Sequence, residues 1–142
     1  MASLSNPSRF SHLDGPCNVW VDQTSFVEAF FKSPSYDPAI VAWAETNKAP
    51  TGLMESLTVQ IGRTPIYALG FEGPVMLLSG EYDLLACDGN CGGGFLEAGL
   101  EEMFPAAKER VTVVHAGAGH AVNFCLNATG AYEVVLGVFG AE

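Results

Sequence analysis

Pro74-Val75-Met76-Leu77-Leu78 is an unbroken apolar run that stops at Ser79-Gly80-Glu81-Tyr82-Asp83. A short run without polar alternation is the pattern of a strand buried on both faces, as in a parallel sheet. Parallel neighbours need a crossover, and one follows. Phe95 to Phe104 sets Leu96, Leu100 and Met103 on one face and Glu97, Glu101 and Glu102 on the other, and Pro105 breaks this amphipathic helix. Val111-Thr112-Val113-Val114-His115 then reads as a second, β-branched strand. It runs into Ala116-Gly117-Ala118-Gly119-His120, and a last helix from about Asn127 places Tyr132, Val135, Leu136 and Phe139 on one stripe. Strand, helix, strand, helix predicts an α/β architecture with parallel strands and a right-handed crossover.

The first 66 residues read as short helices and loops rather than a sheet. Thr24 to Lys32 repeats Phe26, Ala29 and Phe30 at helical spacing, with Ser25 and Glu28 as a capping box. Asp37 followed by Pro38 opens a second helix through Ile40, Val41, Trp43 and Ala44, which ends at Lys48 to Pro50. Between Thr51 and Leu69 two patterns compete: Leu53, Met54 and Leu57 suit a helix, and Thr58-Val59-Gln60-Ile61 alternates like a strand. The chain is thus expected to be one domain, with a helical, lid-like segment over 1–66 and a strand-helix-strand-helix part over 67–142.

Composition limits what such a domain does. The 142 residues are 49% hydrophobic and 15% charged, with a mean hydropathy of +0.24, which suits one packed core and excludes disorder as the main state. No stretch approaches the roughly 18 apolar residues of a membrane span. The N-terminus lacks the basic start and apolar block of a signal peptide, so a cytoplasmic protein is expected. Six Lys and Arg against 16 Asp and Glu give a net charge of −10, which opposes nucleic acid and anionic membranes as partners. Between Arg63 and Lys108 there are seven acids and no base. Glu97, Glu101 and Glu102 form a solvated helix face, but Glu81 and Asp83, directly behind an apolar run, call for another explanation.

In open α/β sheets, functional groups collect beyond the carboxyl ends of the strands. Asp83 follows the first strand and His120 the second. If the strands are neighbours the two side chains meet. A carboxylate that accepts the imidazole Nδ1–H fixes the tautomer and stabilises the imidazolium, as a histidine acting as general base requires. Gly117 and Gly119 are expected to permit the tight loop that carries His120.

These segments resemble a known family. Residues 74–83, PVMLLSGEYD, resemble the α/β-hydrolase segment that ends in the triad acid, and residues 111–120, VTVVHAGAGH, the segment that ends in its histidine. Cys87, Asp88, Cys91 and Asn123 are similar to a bacterial and fungal subgroup, many of whose members are tied to secondary metabolism, and YDPAIVAW is similar to its variable region before the acid strand. The resemblance implies a partial α/β-hydrolase-like parallel sheet with flanking helices, with Asp83 as triad acid and His120 as base. It implies an ester or acyl hydrolase of small apolar substrates, without metal or cofactor.

The chain also departs from that pattern. The nucleophile of this fold sits on a G-x-S-x-G elbow ahead of the acid and the histidine, and no serine here has those flanks. The oxyanion donors of the elbow have no counterpart either. Such a fold ordinarily takes about 200 residues or more, so the expectation is a truncated hydrolase, inactive in isolation. The competing expectation is a non-catalytic binding or interaction module, or half of a split enzyme. An unpaired sheet edge and apolar strand faces favour pairing with a second copy as a homodimer.

Other patterns point less far. Gly89-Asn90-Cys91-Gly92-Gly93 matches a cysteine elbow, but a loop rather than a strand leads into Cys91. A glycine-rich βα loop with an incidental or paired thiol is the simpler reading. Cys87, Cys91, His115 and His120 have zinc-like spacing within each pair, but a whole helix and strand separate the pairs, and His115 reads as a satisfied core histidine. Gly92-Gly93-Gly94 precedes a helix without any nearby base to hold a phosphate. Asn127-Ala128-Thr129 matches a glycosylation sequon and reads as a helix start. The many aromatics, among them Phe30, Phe31, Trp43, Phe71 and Phe104, are expected in the core or the lid.

Overall fold

The computed structural model describes residues 1–13, 15–61, 67–92 and 94–140. Its chemistry-bearing centre is a parallel pair of strands, β3 (Val75–Gly80) and β4 (Arg110–His115), in register from Val75 opposite Arg110 to Gly80 opposite His115. Between them lie the single turn α6 (Leu84–Cys87) and the crossover helix α7 (Phe95–Met103). Leu96 and Leu100 of α7 are buried, and Glu97 reaches back so that Thr112 Oγ1 donates to its Oε1 at 2.8 Å. After β4 come a 3-10 turn at Val122–Phe124 and the last helix, α8 (Ala128–Phe139). The mixed α/β arrangement and the parallel pairing agree with the periodicity.

Two expectations about burial fail here. Val75 to Leu78 are half-buried, because β3 has one neighbour, β4, and no second strand beside it among the described residues. Tyr132, Val135, Leu136 and Phe139 share α8 as expected, but all four are exposed. An amphipathic stripe forms a core only where a second layer covers it, and none of the described elements does so.

The N-terminal part holds α1 (Ala2–Ser5), α2 (Pro7–Phe10), α3 (Gln23–Phe30), α4 (Pro38–Asn47) and α5 (Leu53–Ile61). It is not free of sheet: β1 (Cys17–Asn18) pairs antiparallel with β2 (Thr51–Gly52), too short a pair to leave a sequence signal. Asp22, not Ser25, caps α3, its carboxylate accepting from Ser25 N–H at 2.8 Å, which also lowers the Asp22 pKa. Asp37 caps α4 with Pro38 in the first turn, and Lys48 closes it, as the sequence predicts. Thr58 to Ile61 continue α5 as helix, so the strand-like alternation loses to the helical phase set by Leu53 to Leu57. The expected boundary at 66 lies outside the described residues.

The two parts are fastened together. Phe31, Val41 and Ala44 form a buried cluster on which Phe26, Phe30, Tyr36, Ile40 and, from beyond β4, Ala121 and Phe124 pack. Ala121 N–H donates to Phe30 O at 2.7 Å, and Leu126 N–H donates to Ser35 O at 2.9 Å. The helical segment therefore sits against the loop that carries His120.

Candidate acid-base site

Asp83 stands just past β3 and caps α6, its Oδ1 accepting from Ala86 N–H at 2.8 Å. The cap explains the local fold, and only half of the carboxylate. Oδ2 accepts from the buried Ser79 hydroxyl at 3.2 Å and lies 2.9 Å from His120 Nδ1. A carboxylate accepts, so Nδ1 carries the proton and donates, which leaves Nε2 as the acceptor of the imidazole. Asp83 is buried and the His120 side chain is 41% exposed, so the acid is shielded while the base faces out. The two residues placed at successive strand ends by the sequence are thus brought into contact.

Backbone packing fixes the distance between them. A Cβ on Gly80 would lie 2.1 Å from Gly119 O and 2.6 Å from Ala118 O, so the loop after β4 rests directly on the end of β3. Tyr82 N–H donates to Ala118 O at 2.9 Å across that contact. Gly117 has φ +74°, as the tight loop demands. Gly119 serves otherwise: a Cβ there would come within 2.9 Å of Phe30 O, so close approach to the end of α3 selects glycine rather than the turn itself.

Glu81 braces the same loop, its Oε2 accepting from Gly117 N–H at 2.8 Å. That contact accounts for one of the two acids behind the apolar run, and Asp83 is the other. The Glu81 charge also raises the pKa of the adjacent Tyr82 hydroxyl. The Tyr82 ring lies 4.4 Å from Lys32 Nζ, a cation–π contact from the end of α3.

Cys91 is 1% exposed and disulfide-bonded to Cys87, with Cα atoms 5.1 Å apart, so it is no free thiol nucleophile. Its sulfur lies 3.3 Å from Ser79 Oγ, directly behind the carboxylate. Cys91 N–H donates to Glu81 O at 3.0 Å and Gly89 N–H to Asp83 O at 2.9 Å, so the crosslink closes the turn that presents Asp83. Gly93 lies outside the described residues. His115 is buried with Nε2 lacking a hydrogen-bond partner among the described residues, contrary to the expectation of a satisfied core histidine. No cluster of three metal-ligating side chains occurs among the described residues. No described helix is long and apolar enough to cross a membrane.

On the outward side, His120 lines a cavity of about 310 Å³ with Phe26, Phe30, Phe31 and Phe124. The Phe30 ring meets the imidazole edge to face, with centroids 5.5 Å apart. Three of these aromatics, Phe26, Phe30 and Phe124, also line a larger cavity of about 700 Å³ toward β1 and α4. Ser79, Glu81 and this aromatic wall are the parts that sequence reasoning left unassigned. The position of Glu81 behind a strand was the available signal for one of them. No protein-family model matches the chain, and neither a curated protein nor a solved structure is found to be similar to it.

Proposed function

We propose that Asp83 and His120 are the acid and base of an α/β-hydrolase-like acyl hydrolase acting on small apolar esters, on a partial sheet of that type. One observation carries this: His120 Nδ1 lies 2.9 Å from a buried Asp83 oxygen, with the two residues at the ends of adjacent parallel strands. Ser79 and the Ala86 N–H hold the carboxylate, Asp83 holds the imidazole, and Nε2 takes a proton from the attacking hydroxyl. The G-x-S-x-G serine is not among these 142 residues, and the Ser79 hydroxyl is turned to Asp83. The chain therefore works as the acid-base half of the site, with a hydroxyl from a partner segment in full catalysis and water as a slow substitute.

The test is hydrolysis of p-nitrophenyl acetate by the 142-residue chain, with water as nucleophile and acetate and p-nitrophenolate as products. The sequence alone leads to an inactive isolated chain, whereas the ordered Asp83–His120 pair with water as nucleophile is expected to give slow hydrolysis above buffer that His120→Ala lowers by about 100-fold or to background, within the range for a positioned base. Fluorophosphonate is expected to label none of the chain's own serines. Equal rates for wild type and a folded His120→Ala variant would overturn the proposal.

A further inference from the structure

We infer that the 700 Å³ cavity between β1, α3 and α4 is a binding site for a neutral, flat, apolar molecule of drug size, aromatic or alicyclic. Its walls are aromatic: Trp20 packs edge to face on Phe30 with centroids 5.6 Å apart, and Trp43 on Phe124 at 6.3 Å. Phe26 completes them, 5.0 Å from Phe30. Trp20 and Trp43 remain 40% and 57% exposed although they line a concavity. Scattered exposed aromatics need no explanation, whereas two indoles turned into one hollow supply stacking faces with little side-chain entropy to lose.

The charge on the lining decides the ligand class, and several of its hydroxyl and amide donors are already used. Ser25 Oγ donates to Asp22 O at 3.1 Å, Asn47 Nδ2 to Trp43 O at 2.8 Å, and Ser56 Oγ to Gly52 O at 3.2 Å. Lys48 is the charged residue of the lining among the described residues, and its ammonium is neutralised by Glu45 Oε1 at 2.6 Å and donates to Trp20 O at 2.7 Å. Among the described residues of the lining no free cation is left for a carboxylate or phosphate, and a net charge of −10 repels anions at longer range. Ring faces are the main recognition elements that remain, beside the neutral Asn18 amide, Thr51 hydroxyl and indole N–H groups.

Phe26, Phe30 and Phe124 line both this cavity and the smaller one that His120 lines, so the two hollows adjoin across shared rings. That connection makes the ligand the apolar body of the ester substrate, and this step alone rests on the proposed hydrolase function. Binding itself does not.

Trp20 and Trp43 are the two tryptophans of the chain, so intrinsic fluorescence reports on this cavity. The probe is N-phenyl-1-naphthylamine, which is neutral and accepts energy from tryptophan. Saturable quenching with sensitised probe emission is expected, and Ala49→Phe and Ser56→Phe, which fill the hollow from separate positions, are each expected to weaken binding at least tenfold while the circular dichroism stays native. His120→Ala is expected to bind as wild type does while losing ester hydrolysis, so unchanged hydrolysis in that variant with intact binding would end the hydrolase proposal and leave the site standing. The exposed α8 stripe provides the control. Binding that survives both filling variants but is lost in Leu136→Lys, or equal affinity for the anionic 1-anilinonaphthalene-8-sulfonate, would overturn the inference.

Discussion

Gly80 and Gly119 touch backbone to backbone: a Cβ on Gly80 would fall 2.1 Å from the Gly119 carbonyl oxygen. Neither neighbour is a flexible side chain that can swing aside. Gly80→Ala must therefore separate the end of β3 from the loop after β4. The expected cost is about 3 kcal/mol, the upper end for overpacking, read from urea midpoints. The His120 ring should lose its contact with Asp83 in the same variant, visible as a shift of the imidazole resonances. A neutral Gly80→Ala would mean the loop has room to relax.

Asp83 and His120 differ in what their loss leaves behind. Asp83→Ala removes a helix cap and the imidazole contact and leaves the buried Ser79 hydroxyl only the Cys91 sulfur, a weak acceptor, for an expected loss of about 2 to 3 kcal/mol. His120→Ala removes a part-exposed side chain and leaves Asp83 with its other two donors, for about 1 kcal/mol. Denaturant unfolding of both variants and the double variant gives the coupling, expected near about 1 kcal/mol. A coupling of zero would show that the 2.9 Å contact contributes nothing to the folded state.

The Glu97 pKa is lowered by the hydrogen bond from Thr112, which favours the carboxylate in the folded state. The bond therefore contributes stability above the ordinary Glu value of 4.5, and that contribution fades as pH falls through the lowered folded value. Thr112→Val should destabilise the chain more at pH 7 than below the acid transition. Urea midpoints measured across that range check the sign. A stability difference that grows toward acid would contradict it.

The Cys87–Cys91 crosslink closes a short loop, so its removal should cost only about 2 kcal/mol. Its effect should be local. The amides of Gly89 and Cys91, bonded to Asp83 O and Glu81 O, are expected to exchange faster in the double variant Cys87→Ala/Cys91→Ala or under dithiothreitol. Amides in β4 should exchange at wild-type rates. Uniform acceleration throughout the chain would instead make the crosslink a global staple.

The parallel strands and the crossover helix were legible because each rests on local pattern, and the meeting of Asp83 with His120 follows from the strand-end rule once those strands are neighbours. The run at Val75 to Leu78, the β-branched Val111 to Val114 and the break at Pro105 leave little choice of element. What was illegible depends on contacts that residue spacing does not encode. The β1–β2 pair has two residues per strand, and only its tertiary setting selects it. Asp22 replaces Ser25 as the cap of α3 because a carboxylate one turn ahead captures the Ser25 amide. The exposure of Tyr132 and Leu136 cannot be read from their spacing, since an apolar stripe records what it favours and not whether a neighbour arrives. Gly119 was singled out correctly for the wrong reason: its selector is the Phe30 carbonyl, 89 positions earlier in the chain.

The hydrogen bond from Ala121 N–H to Phe30 O, with Gly119 seated against the same end of α3, has a mechanical meaning. His120 sits between these two anchors. The imidazole is mounted on the end of the helix whose Phe26 and Phe30 also line the aromatic cavity. A ligand that displaces α3 on filling that cavity is therefore expected to carry His120 with it.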